Sequence, residues 1–169
     1  MLKKVAVLAG ILVVAFGAVM VTADDRTFEV KNALIIDRPS AELWPVLTDV
    51  EKWPEWWPGV QEARLAQGWR RGARLDLVLK GTPEKEPARI ERVVPEREIV
   101  WERPGILGSL TRTSVLLEPV PGGTRISLMS FIEGPQALLA DFTGKEEFAR
   151  YHEAVLASLK ARLQQMEGP

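Results

Sequence analysis

Apolar and polar residues alternate along this chain at two different periods. From Arg26 to Asp37 (RTFEVKNALIID), Phe28, Val30, Asn32, Leu34 and Ile36 alternate with Glu29, Lys31, Ala33 and Ile35. A period of two predicts a strand, and Arg38–Pro39 ends it. Ala73 to Lys80 alternates most cleanly, with Ala73, Leu75, Leu77 and Leu79 on one face and Arg74, Asp76 and Lys80 on the other. One apolar and one wet face is the pattern of an antiparallel sheet. Val60–Ala66, Ala88–Val94, Glu98–Arg103, Ser109–Glu118 and Thr124–Glu133 read as further strands. Turns are predicted at Gly68–Gly72, at Gly81–Thr82–Pro83 with the charged EKE, at Pro95–Glu96–Arg97 and at Pro121–Gly122–Gly123. The inward face of the last two strands stays open, because Ile126 and Leu128 compete with Met129 and Phe131.

The period then changes. Phe148, His152, Val155, Leu159 and Leu163 recur at steps of three and four, one face of an amphipathic helix. Thr143 and Glu146 fit a capping box at its start. A shorter apolar piece after Gly134 (PQALLADF) reads as a turn or two of helix, broken at Gly144.

Near the other end, LWPVLTDVEKWPEWWPG (Leu43–Gly59) holds Trp44, Trp53, Trp56 and Trp57, four of the six tryptophans, with Pro45, Pro54 and Pro58. Large apolar rings that each need one N–H partner, interrupted by prolines that fix φ, predict a short, bent, well-anchored helical segment. Ser40 fits its N-cap and Glu42 its first turn. The segment is either a structural corner or the wall of a hydrophobic pocket.

Composition narrows the chemistry. A chain of 169 residues, 46% hydrophobic and 27% charged, fits one globular domain plus an added segment. Its net charge of -1 provides no basic field for nucleic acid. The absence of cysteine excludes disulfides, thiolate chemistry and iron–sulfur clusters. A single histidine, His152, leaves no ordinary zinc site. At the N-terminus, Lys3 and Lys4 precede an uncharged run from Val5 to Val21, then Thr22, Ala23 and Asp24–Asp25. Residues 1–23 read as a cleaved secretory signal or as an uncleaved membrane anchor. The positive-inside rule places the domain outside the cytoplasmic membrane in both cases.

The predicted order is a strand, a short helical pair, about six antiparallel strands and a long C-terminal helix. The sheet's apolar face needs a cover, the last helix is the long element available for it, and a cavity is expected where that cover is incomplete. The run AELWPVLTDVEKWPEWWPGV, the later R-E-I-V-W, the L-x-P-x-x-G-G-T-R hairpin and the final L-x-x-L-K resemble the START-like, helix-grip superfamily. More narrowly, the chain is similar to bacterial SRPBCC proteins of the polyketide cyclase/dehydrase and lipid-transport type, over about residues 27 to 165 of a domain bounded at 26–167. The resemblance implies an α+β helix-grip fold, a curved antiparallel sheet of six to seven strands around the C-terminal helix.

It also implies a deep apolar pocket between sheet and helix for a lipid, sterol, quinone or polyketide. Leu75, Leu77, Leu79, Ile90 and Trp101 would line it from the sheet. Phe148, Tyr151 and Val155 would line it from the helix, with Trp53, Trp56 and Trp57 at the opening. For the leucines, plain core is the competing reading. Chemistry finds less support: the sequence has no G-x-S-x-G elbow and no phosphate-cradling glycine loop. Arg112, Glu133 and Tyr151 are the candidates for an acid, base or donor, and His152 reads as a satisfied or partly exposed histidine. Arg74, Asp76, Arg89 and Glu91 read as a solvated sheet face. Two functions stay open, with neither cofactor nor metal expected. One is a binding module for a hydrophobic small molecule, held at the membrane if the N-terminal segment is uncleaved. The other is an enzyme of the cyclase or dehydratase kind. A third possibility is a domain with a filled cavity that works through protein contacts.

Overall fold

A computed structural model describes residues 26–81 and 85–166. The predicted signal or anchor and the Thr82–Pro83 turn lie outside the described residues. Strand β1 (Thr27–Ile36) is followed by helix α1 (Ser40–Thr48), a 3-10 turn (Val50–Lys52) and the single-turn helix α2 (Trp53–Trp56). Six strands follow: β2 (Val60–Leu65), β3 (Arg74–Leu79), β4 (Lys85–Val94), β5 (Glu98–Pro104), β6 (Leu110–Val120) and β7 (Gly123–Glu133). Helix α3 (Pro135–Thr143) and the 21-residue α4 (Lys145–Gln165) complete the chain.

The seven strands form one sheet in the order β1-β7-β6-β5-β4-β3-β2. Every neighbouring pair is antiparallel. Hairpins join β2 through β7, so the tryptophan-rich segment is the one connection that crosses from one edge of the sheet to the other. The sheet is curled, and α4 covers its inner face with His152, Val155, Leu156, Leu159 and Leu163. This is the predicted α+β helix-grip architecture. Inward parity on β7 is settled for Thr124, Ile126, Leu128 and Ile132, all buried. Met129 and Phe131 take the outer face, where Phe131 is sheltered beneath the Arg112 guanidinium at 5.9 Å from the ring centre. Arg74 and Arg89 are exposed and Asp76 and Glu91 half-buried on that same outer side. Arg74 pairs with Asp76 at 2.7 Å and Arg71 with Glu91 at 2.8 Å, as a solvated face should.

Local signals were overridden in three places. Pro39, in extended geometry, takes the cap position of α1, so Ser40 is its first helical residue and makes no capping hydrogen bond. Glu42 does lie in the first turn, where Arg38 holds it at 2.8 Å. The Thr143/Glu146 capping box does not form, because α3 continues through Thr143. Burial of Ala137 and Ala140 against Phe28, Val30 and Ile132 rewards that extension. Gly144, at φ 96°, then breaks the chain in a conformation other residues rarely adopt. Finally, Lys85 and Glu86 of the EKE assigned to a turn instead begin β4, where they and Pro87 pair with Val78, Leu77 and Asp76.

Candidate functional site

Strand register determines what faces α4. Ile99, Val115 and Leu128 lie side by side across β5, β6 and β7; two residues further along come Trp101, Thr113 and Ser130, and then Arg103, Thr111 and Ile132. Because alternate residues share a face, these rows pass from apolar to hydroxyl-bearing to charged toward one end of the sheet. Between the latter two rows and α4 lies a cavity of about 230 Å³.

One wall is tryptophan. Trp53, Trp57 and Trp101 pack against one another, tilted or edge-on, with ring centres 4.7, 5.7 and 5.9 Å apart. Trp53 Nε1 donates to the Leu47 carbonyl at 3.0 Å, and Trp69, on the far side of Trp53, donates to the Thr48 carbonyl at 2.8 Å. These bonds tie the wall to the C-terminal end of α1. Val60, Leu77 and Leu79 extend the apolar surface. The helical side provides Phe148, Tyr151 and His152, one face of α4 at three- and four-residue spacing. Trp57 Nε1 donates to the Tyr151 hydroxyl at 3.0 Å and bridges the two walls.

The remaining lining is polar: Arg103, Thr111, Thr113, Ser130 and Gln136. Gln136 is placed by Ser109, whose Oγ accepts the Gln136 backbone N–H at 2.8 Å and so caps α3 from another element. Its side-chain oxygen lies over Gly105, where a Cβ would collide with it. Among the described residues, Thr111 Oγ1, Gln136 Oε1 and His152 Nδ1 are buried polar atoms with no hydrogen-bond partner. Buried polar atoms are ordinarily paired, and of the six without a partner among the described residues these three share the lining of one cavity.

His152 is sealed, 0% exposed, with Nε2 hydrogen-bonded to Ser130 Oγ at 2.9 Å. Burial penalises its charged form and lowers its pKa from 6.5 to about 4, so the ring is neutral at pH 7. Of the sequence reading of a satisfied or partly exposed histidine, the exposed alternative is corrected, since the ring is fully buried, and the satisfied one holds for Nε2 but not for Nδ1, which has no partner. Burial also lowers the pKa of Arg103, an effect that nearby Tyr151 opposes; the guanidinium stays charged. Tyr151 is pushed up by burial, against the Trp57 hydrogen bond and the Arg103 charge. With 40% of Tyr151 exposed, solvent limits that shift.

Of the residues singled out from the sequence, Trp53, Trp57, Leu77, Leu79 and Trp101 line the cavity, as do Phe148 and Tyr151. Four do not. Leu75 and Ile90 are fully buried in the core beside it. Trp56 and Val155 border a separate apolar void of about 10 Å³, too small for a ligand. Arg112 points away, bonded through Nε to Glu102 at 2.7 Å, and Glu133 lies outside the lining at the end of β7. Val60, Arg103, Thr111, Thr113, Leu128, Ser130, Ile132 and Gln136 went unrecognised in the sequence. Parity could have found most of the strand residues, since Thr111 and Thr113 are in step with buried Val115 and Leu117, and Arg103 with Trp101. Among the described residues no cluster of three or more His, Asp or Glu is placed to hold a metal, and no helix is long and apolar enough to cross a membrane.

A family model described as polyketide cyclase/dehydrase and lipid transport matches residues 27–164. No curated protein matches the sequence. Among solved structures, the chain is similar to the ZhuI aromatase/cyclase from Streptomyces sp. R1128, with 15% identity over 83% of this chain and 95% of that one, at a TM-score of 0.64. Norcoclaurine synthase from Thalictrum flavum is 12% identical over 86% and 91% of the two chains, at 0.64. A protein from Nitrosomonas europaea is 19% identical over 82% and 96%, at 0.63. At such identities the likeness shows the fold alone.

Proposed function

The chain belongs to the polyketide cyclase/dehydrase and lipid-transport family, and from that premise we propose that it binds a small hydrophobic molecule with a polar end. The observation that carries this reading is the cavity's division into a tryptophan wall and a polar end that holds Thr111 Oγ1 and Gln136 Oε1 without partners. Flat rings of a ligand would stack on Trp53, Trp57 and Trp101. An oxygen or hydroxyl at the ligand's edge would meet Thr111, Gln136 and Arg103. Size limits the class. A cavity of roughly 150 Å³ accommodates benzene, so about 230 Å³ suits one or two rings of quinone or polyketide type. A sterol or a whole lipid would have to extend past Tyr151 and Arg103 into solvent. The run Val5–Val21 supports action on the outer side of the cytoplasmic membrane. Organic extraction of the purified protein with mass spectrometry tests the proposal, together with titration by naphthalene and 2-naphthol followed by tryptophan emission. Saturable binding with 2-naphthol favoured, and that preference reduced in Thr111→Val, is the expected result. No saturable binding of either compound would refute it.

The second reading is catalysis in the same cavity, and the observation favouring it is the Ser130–His152 pair. A neutral imidazole beside a hydroxyl can accept a proton. Turnover of a short poly-β-ketone that is lost in His152→Gln, with 2-naphthol binding retained, would establish it. Absence of turnover in the parent protein leaves binding as the function.

A further inference from the structure

Leu107, Leu139 and Phe142 are exposed by 59%, 56% and 94%, and all three belong to one end of the molecule. Register establishes that end. Leu110 of β6 pairs with Glu133 of β7, which pairs with Thr27 of β1, so the loop carrying Leu107, the start of α3 and the chain's entry into the fold are level. The Gly134 N–H donates to the Arg26 carbonyl at 3.0 Å. Phe142 comes three residues before Lys145, whose Nζ lies 5.8 Å from the centre of the Phe28 ring near the start of β1. Leu139 and Phe142, one turn apart, point away from the side of α3 that buries Ala137 and Ala140. Leu107 occupies the left-handed region, at φ 54°, in the turn after β5. The cavity's polar rim, Arg103, Thr111 and Gln136, is at this end too.

We propose that this end is a membrane-docking surface, with Leu107, Leu139 and Phe142 entering the outer layer of a bilayer and the cavity's rim held against it. The inference rests on the anchored reading of the N-terminal run, and it is independent of what the cavity binds. The 17 uncharged residues from Val5 to Val21, at about 1.5 Å each, come to about 25 Å as a helix, close to the hydrocarbon thickness of a membrane. Residues 22–26 then separate that span from β1, and five residues reach at most about 18 Å. A span that short a tether away forces this end of the domain, and no other, against the lipid. Charge there is mixed, with Lys145 and Arg150 beside Asp141, Glu146 and Glu147. The surface therefore depends on apolar insertion and needs no anionic lipid.

The sequence has no cysteine, so single labels are straightforward. The full chain carrying Leu107→Cys, Phe142→Cys or, on the hairpin at the opposite end, Pro121→Cys is labelled with an NBD fluorophore and reconstituted into phosphatidylcholine vesicles. Labels at 107 and 142 should emit at shorter wavelength, be quenched by a lipid-borne quencher and resist an aqueous one, while the label at 121 should do the reverse. Three results would overturn the proposal: all three labels behaving as aqueous, all three quenched from the lipid, or 107 and 142 shielded from water yet out of reach of the lipid-borne quencher. The last would mean that protein covers the surface, either the chain's own N-terminal run or a second copy. Titration with 2-naphthol in the same vesicles reports ligand binding separately.

Discussion

Lowering the pH should destabilise this protein through His152 in a window fixed by its burial. In the unfolded chain the imidazole titrates near 6.5, and in the folded one desolvation holds it at about 4. Above pH 6.5 both states carry a neutral ring, so the group contributes nothing to the pH dependence. Between the two values the unfolded chain binds a proton that the folded chain does not, so stability rises with pH and falls as pH is lowered. The slope is about 1.4 kcal/mol per unit and the total about 3 kcal/mol, levelling off below the folded-state value. Against a typical domain stability of about 5–15 kcal/mol, that is a large fraction. The neighbours do not titrate in this window, since Tyr151 is pushed up from 10.0 and Arg103 remains a cation. Carboxylates elsewhere add their own acid dependence, which is why a reference protein is needed. His152→Leu keeps the apolar contacts of the ring and removes the proton site. Urea denaturation of both proteins from neutral pH to about pH 4, with a slope of roughly 2 kcal/mol/M, should show the parent's midpoint falling about 1.5 M further than the variant's. With one histidine in the chain, the ring resonances in an NMR titration are unambiguous. A folded-state titration near 6.5, or parallel curves for the two proteins, would refute the reasoning.

Two further substitutions test the cavity and its supports. Leu77→Phe directs a ring into the cavity, so stability should change by less than about 1 kcal/mol while 2-naphthol affinity falls at least about tenfold; Leu75→Phe, in closed core on the same strand, should cost about 1–3 kcal/mol. A comparable loss of stability in both would mean that Leu77 is ordinary core. Ser109→Ala leaves the Gln136 N–H without its acceptor and should cost about 1 kcal/mol in thermal or urea unfolding; an unchanged midpoint would show that the α3 cap is dispensable.

Strand alternation carried most of the fold, because a sheet with one buried face repeats its pattern every second residue. It did less well where both faces are apolar. On β7, Met129 and Phe131 match Ile126 and Leu128 in hydrophobicity, and only the partner strand decides, by placing Arg112 over Phe131. Helix caps misled for a different reason. Thr143 satisfies a local pattern, yet burial of Ala137 and Ala140 keeps α3 helical through that residue. The polar end of the cavity was hidden because threonine, serine and arginine on a strand ordinarily denote its wet face. That Arg103 and Thr111 face inward follows from their step with Trp101 and Val115. The state of His152 could not be read at all. A histidine on a helical stripe is sealed or solvated according to what the sheet puts beneath it, and here that is Ser130.

The cavity persists because α4 is pinned on either side of it. Toward its C-terminus, Val155, Leu156, Leu159 and Leu163 pack into the large cluster with Leu43, Leu47 and Ile126. Toward its N-terminus, Phe148 lies 4.9 Å from Phe28 within the smaller cluster that also holds Ala137 and Ala140. Tyr151 and His152 fall between these two contacts, and neither can collapse onto the sheet. The Trp57 indole holds the Tyr151 hydroxyl in place, and His152 already meets Ser130. The tryptophan wall is held back as well, since its rings pack against one another and Trp53 is tied to Leu47. At about 24 cal/mol per Å³, leaving about 230 Å³ unfilled forgoes up to roughly 5.5 kcal/mol of packing. That figure is an upper bound, because the polar end is open to water. The ligand proposed above would fill that space and could pair the three polar atoms beside it. Occupancy should therefore appear as stabilisation that grows as RT ln(1 + [L]/Kd) with ligand concentration.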